Sequence, residues 1–156
     1  MSASLGLFPH TGWTWLVRMK RGALDAREKI VAVPVLEAEL YHHARDHGTQ
    51  TFAARRKAAL AAAIDVMRPY GDAKRAVVIG KQPALPVIDK IVASHAMIHT
   101  AEGELWRALF AEALEAFGVK VVRVPADAIE ISRSLPSPGP PWTRELKLAA
   151  SAAADR

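Results

Sequence analysis

Residues 5–15 constrain the fold most strongly, because they predict two strands joined by a tight corner. An apolar run ends at Pro9, and Gly12 permits a sharp reversal of the chain. Beyond the corner, Trp13, Trp15 and Val17 fall on one side of a pleated strand, and the intervening residues fall on the other. The segment therefore predicts an antiparallel hairpin with one face against a core.

The pattern downstream predicts one further strand and then alternating helices and strands. A β-branched run at residues 30–33, bounded by Pro34, is typical of a third antiparallel strand. A helix is expected over 51–70, with Thr49 or Thr51 as its N-cap. The apolar run 76–79 predicts a central strand beside the first.

A long helical segment is expected over residues 87–117, with candidate breaks at Ser94 and Gly103. Gly118 suits the left-handed residue that ends a helix, and residues 119–124 predict the fifth strand. After a Pro-rich loop, Thr143 is placed to cap a terminal helix. The loop 80–86 lies at the carboxyl end of a central strand, where open α/β sheets usually bind ligands.

Composition narrows the functional classes. The 156 residues predict a single domain over 1–156, and no apolar run approaches the roughly 18–20 residues needed to cross a bilayer. The start of the chain has no secretory-signal pattern, so we expect a cytoplasmic protein without a membrane partner. With no cysteine, metal ligands must be His, Asp or Glu, and the net charge of +5 favours anionic partners.

The order of elements and four local segments resemble the RNase H-like nucleases of the Holliday-junction resolvase (RuvC) type. The four segments are residues 5–15, the passage from Met67 to Ile79, the helical stretch 101–103, and residues 118–125. The resemblance implies an α/β fold in which a five-stranded mixed sheet, with three antiparallel strands first, is flanked by helices. It also implies nucleic acid, DNA or RNA, as a partner.

The chemistry of that family requires carboxylates converging on two divalent metals. At the matching positions Phe8 replaces the aspartate of the first strand, and Gly80 replaces the glutamate after the fourth. Glu145 is the nearest match to the last acidic residue, with Asp155 as a second choice. The resemblance therefore implies a degenerate nuclease site, because one carboxylate cannot hold two metals.

A separate metal site is suggested by the spacing of His95, His99 and Glu102, which stack along one face of a helix. These ligand types suit magnesium, manganese or zinc to different degrees, and His10 or Glu145 would complete the shell. The alternative interpretation is that both histidines face solvent and that Glu102 is an ordinary helix residue. The histidine-rich stretch 41–47 could bind a metal adventitiously, and is otherwise interpreted as a solvated connection.

A phosphate-binding track is the second candidate site. It would be lined by Arg55, Arg56, Lys74 and Lys81. The alternative is solubilising charge scattered over the surface. Trp13 and Trp15 are interpreted as sheet-to-helix packing, and Trp142 as exposed or docked over the site.

Two functions remain open at this point. The first is an RNase H-like module that binds nucleic acid or a protein without cleaving it. The second is a metal-dependent nuclease or phosphodiesterase in which His99, Glu102, Glu145 and His10 act at a relocated site. An uncovered edge strand would also permit a homodimer.

Overall fold

The computed structural model describes residues 3–154, which form a five-stranded mixed sheet with helices on both faces. The strands are β1 (Ala3–His10), β2 (Trp13–Lys20), β3 (Ala23–Val31), β4 (Arg75–Ile79) and β5 (Lys120–Val124). Their order across the sheet is β3-β2-β1-β4-β5. β1 is antiparallel to β2 and parallel to β4, and β4 lies beside the first strand as its apolar run predicted. The predicted mixed sheet is confirmed.

The helices divide between the two faces of the sheet. They are α1 (Val35–Ala38), α2 (Leu40–His47), α3 (Phe52–Met67), α4 (Ile88–Val92), α5 (His95–Glu115) and α6 (Arg144–Ala154). α6 covers one face, where it packs on Val17, Val77 and Ile79. The other helices contribute to a larger core on the opposite face, around Leu7 and Val78. Alternating residues of each central strand therefore enter different cores.

The contact between β1 and α6 is close enough to require glycine. A Cβ atom at Gly6 would lie 1.9 Å from the carbonyl oxygen of Ala149, far inside van der Waals contact. Gly6 and the small residues of α6 allow β1 and α6 to approach this closely. The close approach fixes α6 over the middle of β1.

Most predicted boundaries hold within a few residues. The long helical segment breaks at Ser94, whose hydroxyl accepts a hydrogen bond from the Met97 N–H, and α5 runs through Gly103 without interruption. Gly118 has a φ of +84°, and Thr143 Oγ1 accepts from the Leu146 N–H at 3.2 Å, both as predicted. Thr51 lies at the N-cap of α3 but forms no capping bond with its side chain.

Two sequence interpretations were wrong. β3 begins at Ala23 and not near Ile30. The polar residues in its first half were mistaken for a connection, because an edge strand can expose many of its side chains to solvent. Residues 40–47 form the helix α2 rather than a solvated connection. Leu40, Tyr41 and Ala44 are buried on one face of α2, and the histidines lie on the others.

β3 and β5 are the edges of the sheet. The predicted homodimer therefore has two candidate edge surfaces, and it stays a prediction. Within residues 3–154, no helix is long and apolar enough to span a membrane.

Candidate functional site

The carboxyl end of β1 brings a histidine against a carboxylate. Nε2 of His10 lies 2.6 Å from Oε1 of Glu145, which stands in the first turn of α6. The two side chains are 35% and 31% exposed, so the pair is within reach of a ligand. Because Thr143 caps α6, the helix begins where Glu145 can meet β1.

Aromatic rings continue from this pair along the same face of the sheet. The His10 ring stacks on Trp13 with centroids 4.2 Å apart, and Phe8 lies 5.6 Å from His10. Trp15 meets the edge of Trp13 at 5.5 Å. Lys29 Nζ lies 4.4 Å from the Trp13 ring centroid, which is a cation–π distance. We call Phe8, His10, Trp13 and Trp15 the aromatic cluster.

The members of the aromatic cluster are all half-buried, but they differ in what they pack against. Phe8 and Trp15 pack against the core beneath α6, which is the sheet-to-helix packing predicted for Trp15. Trp13, for which the same packing was predicted, is not part of that core: its half-buried ring lies between the stacked ring of His10 and the exposed Lys29. Because a lysine side chain is flexible, a base that displaces Lys29 could stack on this ring.

The Pro-rich loop is held beside this surface by Arg27 of β3. The Arg27 guanidinium donates to the carbonyl oxygen of Gly139 at 2.6 Å and to that of Pro141. Its Cζ also lies 5.9 Å from the centroid of the Trp142 ring. Trp142 is half-buried and packs on the core beneath α6, and its place over a functional site stays a prediction.

At the carboxyl end of β4, an arginine of α5 packs against a glycine. Gly80 directly follows β4 with a φ of +140°, and a Cβ atom there would lie 2.4 Å from Cδ of Arg107. Arg107 comes from α5 on the opposite face of the sheet from α6. The Arg107 side chain, from Cδ to the guanidinium group, therefore occupies the space that a side chain at position 80 would need.

Arg107 belongs to a group of three buried charges. Glu104 Oε2 accepts from Arg123 Nη2 at 2.8 Å and lies 3.8 Å from Arg107 Nε. Burial lowers the pKa of Arg107, partly offset by the charge of Glu104. One carboxylate faces two guanidinium groups, so this end of the sheet carries an excess of positive charge.

The predicted phosphate-binding residues do not form one compact patch. Lys74 precedes β4 and Lys81 follows Gly80, so the two lysines flank opposite ends of that strand. Arg56 Nη2 donates to Glu112 at 2.6 Å, which neutralises its charge locally. Arg55 lines a recess with residues of α2 and α3. Binding of nucleic acid by these four residues stays a prediction.

The predicted histidine pair meets a third histidine. Nε2 of His95 lies 3.0 Å from Nε2 of His99 at the start of α5, and the His42 ring lies 5.1 Å from that of His99. The three rings offer ligand nitrogens that all lie within 4.8 Å of one another. His10 and Glu145 bond to each other on the α6 face and do not reach this group.

Glu102 has a different place from the one predicted. Its carboxylate is buried and accepts from the Tyr41 N–H at 2.9 Å and from Nδ1 of His42 at 3.0 Å. Burial raises the pKa of Glu102, and the bonds from Tyr41 and His42 oppose that rise. In the structure the third nitrogen is therefore supplied by His42, with Glu102 behind it.

Comparison with known proteins gives matches in structure alone. No family model and no curated sequence matches the chain. The structure of Thermus thermophilus RuvC in complex with a Holliday junction substrate matches with a TM-score of 0.58 and 11% identity, covering 99% of this chain and 91% of that one. A second T. thermophilus RuvC structure matches with a TM-score of 0.50 and 11% identity, over 97% and 91%.

The chain has an RNase H-like fold of the RuvC type. This RuvC-like fold covers nearly the whole chain, so the elements that carry Phe8, Gly80 and Glu145 all lie within the matched region. Because β1 and β4 are parallel neighbours, Phe8 and Gly80 both lie near the carboxyl ends of these two strands. Asp155, the second choice for the last acidic residue, lies outside the described residues.

Two residues of the RuvC-like fold escaped the sequence interpretation. His42 was considered only as part of a stretch that could bind metal adventitiously, and its place beside His95 and His99 was missed because that stretch was assigned to a connection. The helical spacing of Leu40, Tyr41 and Ala44 was the available signal. Arg107 was missed because no local pattern reveals which strand end a residue in the middle of a helix will face.

Proposed function

We propose that this chain is an RNase H-like module that binds nucleic acid and does not cleave it by two-metal chemistry. The observation that carries the proposal is the packing of Arg107 against Gly80. A carboxylate at this strand end would draw a divalent cation, whereas a guanidinium group repels a cation and attracts a phosphate. The charge at this point of the fold is thus the reverse of what a two-metal site needs.

The donor set supports the same conclusion. Phe8 offers no ligand atom, and Glu145 is already bonded to His10. Within residues 3–154, the one group of three potential metal ligands is the histidine group on the other face of the sheet. In this proposal, Phe8 and Gly80 stand where the family has acids, and Glu145, the third matched position, is bonded to His10. The aromatic cluster is then the main chemical feature of this face.

The binding surface in this proposal is the aromatic cluster with Lys29. In this proposal the flexible Lys29 side chain moves off the Trp13 ring, a base stacks there independently of its sequence, and the Lys29 ammonium contacts the adjacent phosphate. Together they favour an unpaired or distorted nucleic acid over a regular duplex, whose bases are already stacked. The RuvC relative was seen bound to a Holliday junction, which makes branched DNA the first ligand to test.

The test is binding and cleavage measured on the same substrates. Fluorescence anisotropy would compare a labelled four-way junction, a single strand and a duplex, first with a chelator and then with magnesium or manganese. We expect the logarithm of the binding constant to fall linearly with the logarithm of the salt concentration. We also expect the strands to stay intact with either metal. Absence of binding to all three substrates at low salt would overturn the proposal.

A second candidate function is a metal-dependent phosphodiesterase with a relocated site. The observation in its favour is the group formed by His42, His95 and His99. This candidate requires cleavage that disappears in His42→Ala and His99→Ala and survives in Glu145→Gln. The cleavage arm of the same assay therefore separates the two candidates.

A further inference from the structure

We propose that His42, His95 and His99 form a binding site for a transition metal of the zinc class. We call these residues the three-histidine site. The site lies between α2 and the start of α5, on the face of the sheet away from the aromatic cluster. It is independent of the proposed nucleic-acid binding, and it can be tested with the metal alone.

The spacing of the nitrogens suits a small tetrahedral ion. A zinc ion with Zn–N distances of about 2.0–2.1 Å requires nitrogens roughly 3.3 Å apart. His95 and His99, at positions i and i+4 of α5, already place their Nε2 atoms 3.0 Å apart. All three ligand nitrogens lie within 4.8 Å of one another, so side-chain movements that close the widest separation by at most about 1.5 Å complete the site.

Glu102 prepares His42 for coordination. A carboxylate accepts hydrogen bonds only, so the 3.0 Å contact puts the His42 proton on Nδ1 and leaves a lone pair on Nε2. A carboxylate behind the remote nitrogen is the usual partner of a histidine that binds a metal, because it fixes the ring and raises its basicity. Glu102 is therefore a positioning residue of the site.

The orientation of Glu102 is itself fixed. The residue is 3% exposed, and its Oε1 accepts from the Tyr41 N–H at the start of α2. Its other oxygen faces the His42 backbone and ring. The same carboxylate thus secures the beginning of α2 and the ring that α2 presents to α5.

One cation stands beside the site. Nη1 of Arg45 lies 3.4 Å from Nδ1 of His95, which favours the tautomer with its proton on Nε2. Coordination through Nε2 requires the other tautomer, so Arg45 must move away. Arg45 already bonds to Asp46 at 2.9 Å and is largely exposed, which makes this movement easy. Arg45 therefore opposes metal binding weakly.

The donor types select the metal. Three neutral imidazoles favour zinc, cobalt, nickel or copper over magnesium and calcium, which prefer oxygen. Three protein ligands leave a fourth tetrahedral position for water or an external ligand. Since His95 and His99 are exposed, that position is open to solvent.

The experiment is titration of tag-free, chelator-treated protein with cobalt, followed by visible absorption, and with zinc, followed by calorimetry. We expect one equivalent of metal and, with cobalt, the intense visible bands of a tetrahedral site. His42→Ala and His99→Ala should each lower the affinity at least tenfold, and Glu102→Gln by about 10–100-fold. Arg45→Gln should bind zinc at least as tightly as the wild type.

The matched control is a second histidine pair, which lies on α2 with His42. His43 and His47 have the i, i+4 spacing and ring centroids 4.6 Å apart, but they do not belong to the three-histidine site. The double variant His43→Ala, His47→Ala should bind as the wild type does, with circular dichroism verifying the fold of each variant. Binding lost equally in this control, or retained in His42→Ala, would overturn the proposal, as would a wild-type protein that binds neither metal.

Discussion

The side chain of Arg107 packs so closely on Gly80 that a Cβ atom there would lie 2.4 Å from its Cδ. A residue of α5 thus closes the carboxyl end of β4 from the face opposite α6. A glutamate could not be restored at position 80 without moving Arg107, whose neighbours Glu104 and Arg123 are also largely buried. The absence of a side chain at Gly80 and the presence of Arg107 are therefore one structural feature.

The first prediction concerns this contact. Gly80→Ala should destabilise the fold by more than Gly22→Ala, measured as the free energy of unfolding in urea. Both glycines have a positive φ, which costs an alanine about 1–3 kcal/mol, but a Cβ atom at Gly22 meets nothing within 4 Å. Overpacking against Arg107 should add about 1–3 kcal/mol at Gly80. Equal losses in the two variants would contradict the contact.

The second prediction compares two glutamates of α5. Glu104→Ala should cost about 3 kcal/mol of unfolding free energy, because it leaves Arg107 and Arg123 without their carboxylate in a buried setting. Glu112→Ala removes a pair with Arg56 whose side chains are 34% and 41% exposed, and it should cost at most about 1 kcal/mol. Chemical denaturation measures both. Similar losses would mean that Glu104 is not the main partner of the two arginines.

The third prediction concerns stacking. Trp13→Ala should weaken binding of single-stranded or branched DNA by about 1–3 kcal/mol, since one base loses its aromatic partner. Trp13→Phe keeps an aromatic face beside His10 and should retain most of the affinity. Anisotropy titrations at one salt concentration measure the difference. An alanine variant that binds like the phenylalanine variant would exclude Trp13 as a stacking residue.

The fourth prediction concerns the phosphate contact. Lys29→Ala should reduce the slope of log K against log salt by about one unit, because one fewer counterion is released. Lys120→Ala is the control: this exposed lysine begins β5, at the opposite end of the parallel strands. Its removal should leave the slope unchanged. Equal slopes for both variants would place the phosphate contact elsewhere.

The fifth prediction concerns the pair on the α6 face. A double-mutant cycle with His10→Ala and Glu145→Ala should give a coupling energy of about 0.5–1 kcal/mol in unfolding experiments. The value is modest because both side chains are about one-third exposed. Zero coupling would show that the 2.6 Å contact does not fix the start of α6.

The sheet could be predicted from sequence because its central strands carry their own signals. The alternation at Trp13, Trp15 and Val17 shows the two faces of β2, and the fully apolar β4 shows a strand covered on both sides. Ser94 and Gly118 mark the ends of α5 by their local chemistry. Each of these features depends on residues close together in the chain.

The candidate sites depend instead on residues far apart in the chain. The contact of Gly80 with Arg107 is set by where α5 crosses the sheet, which no local spacing encodes. His42 joins His99 only because α2 packs beside α5, and the sequence interpretation had no α2. The pair of His95 and His99 could be predicted from the sequence because both residues lie on α5, four positions apart.

The close approach of β1 and α6 also bears on how the chain folds during synthesis. α6 follows all five strands, so the sheet is made before the helix that covers its second face. Until α6 emerges from the ribosome, Val17, Val77 and Ile79 present an apolar surface to water. Since the α6 backbone fills the space at Gly6, this surface is shaped for one helix, and until that helix docks the surface is open to non-specific apolar contacts.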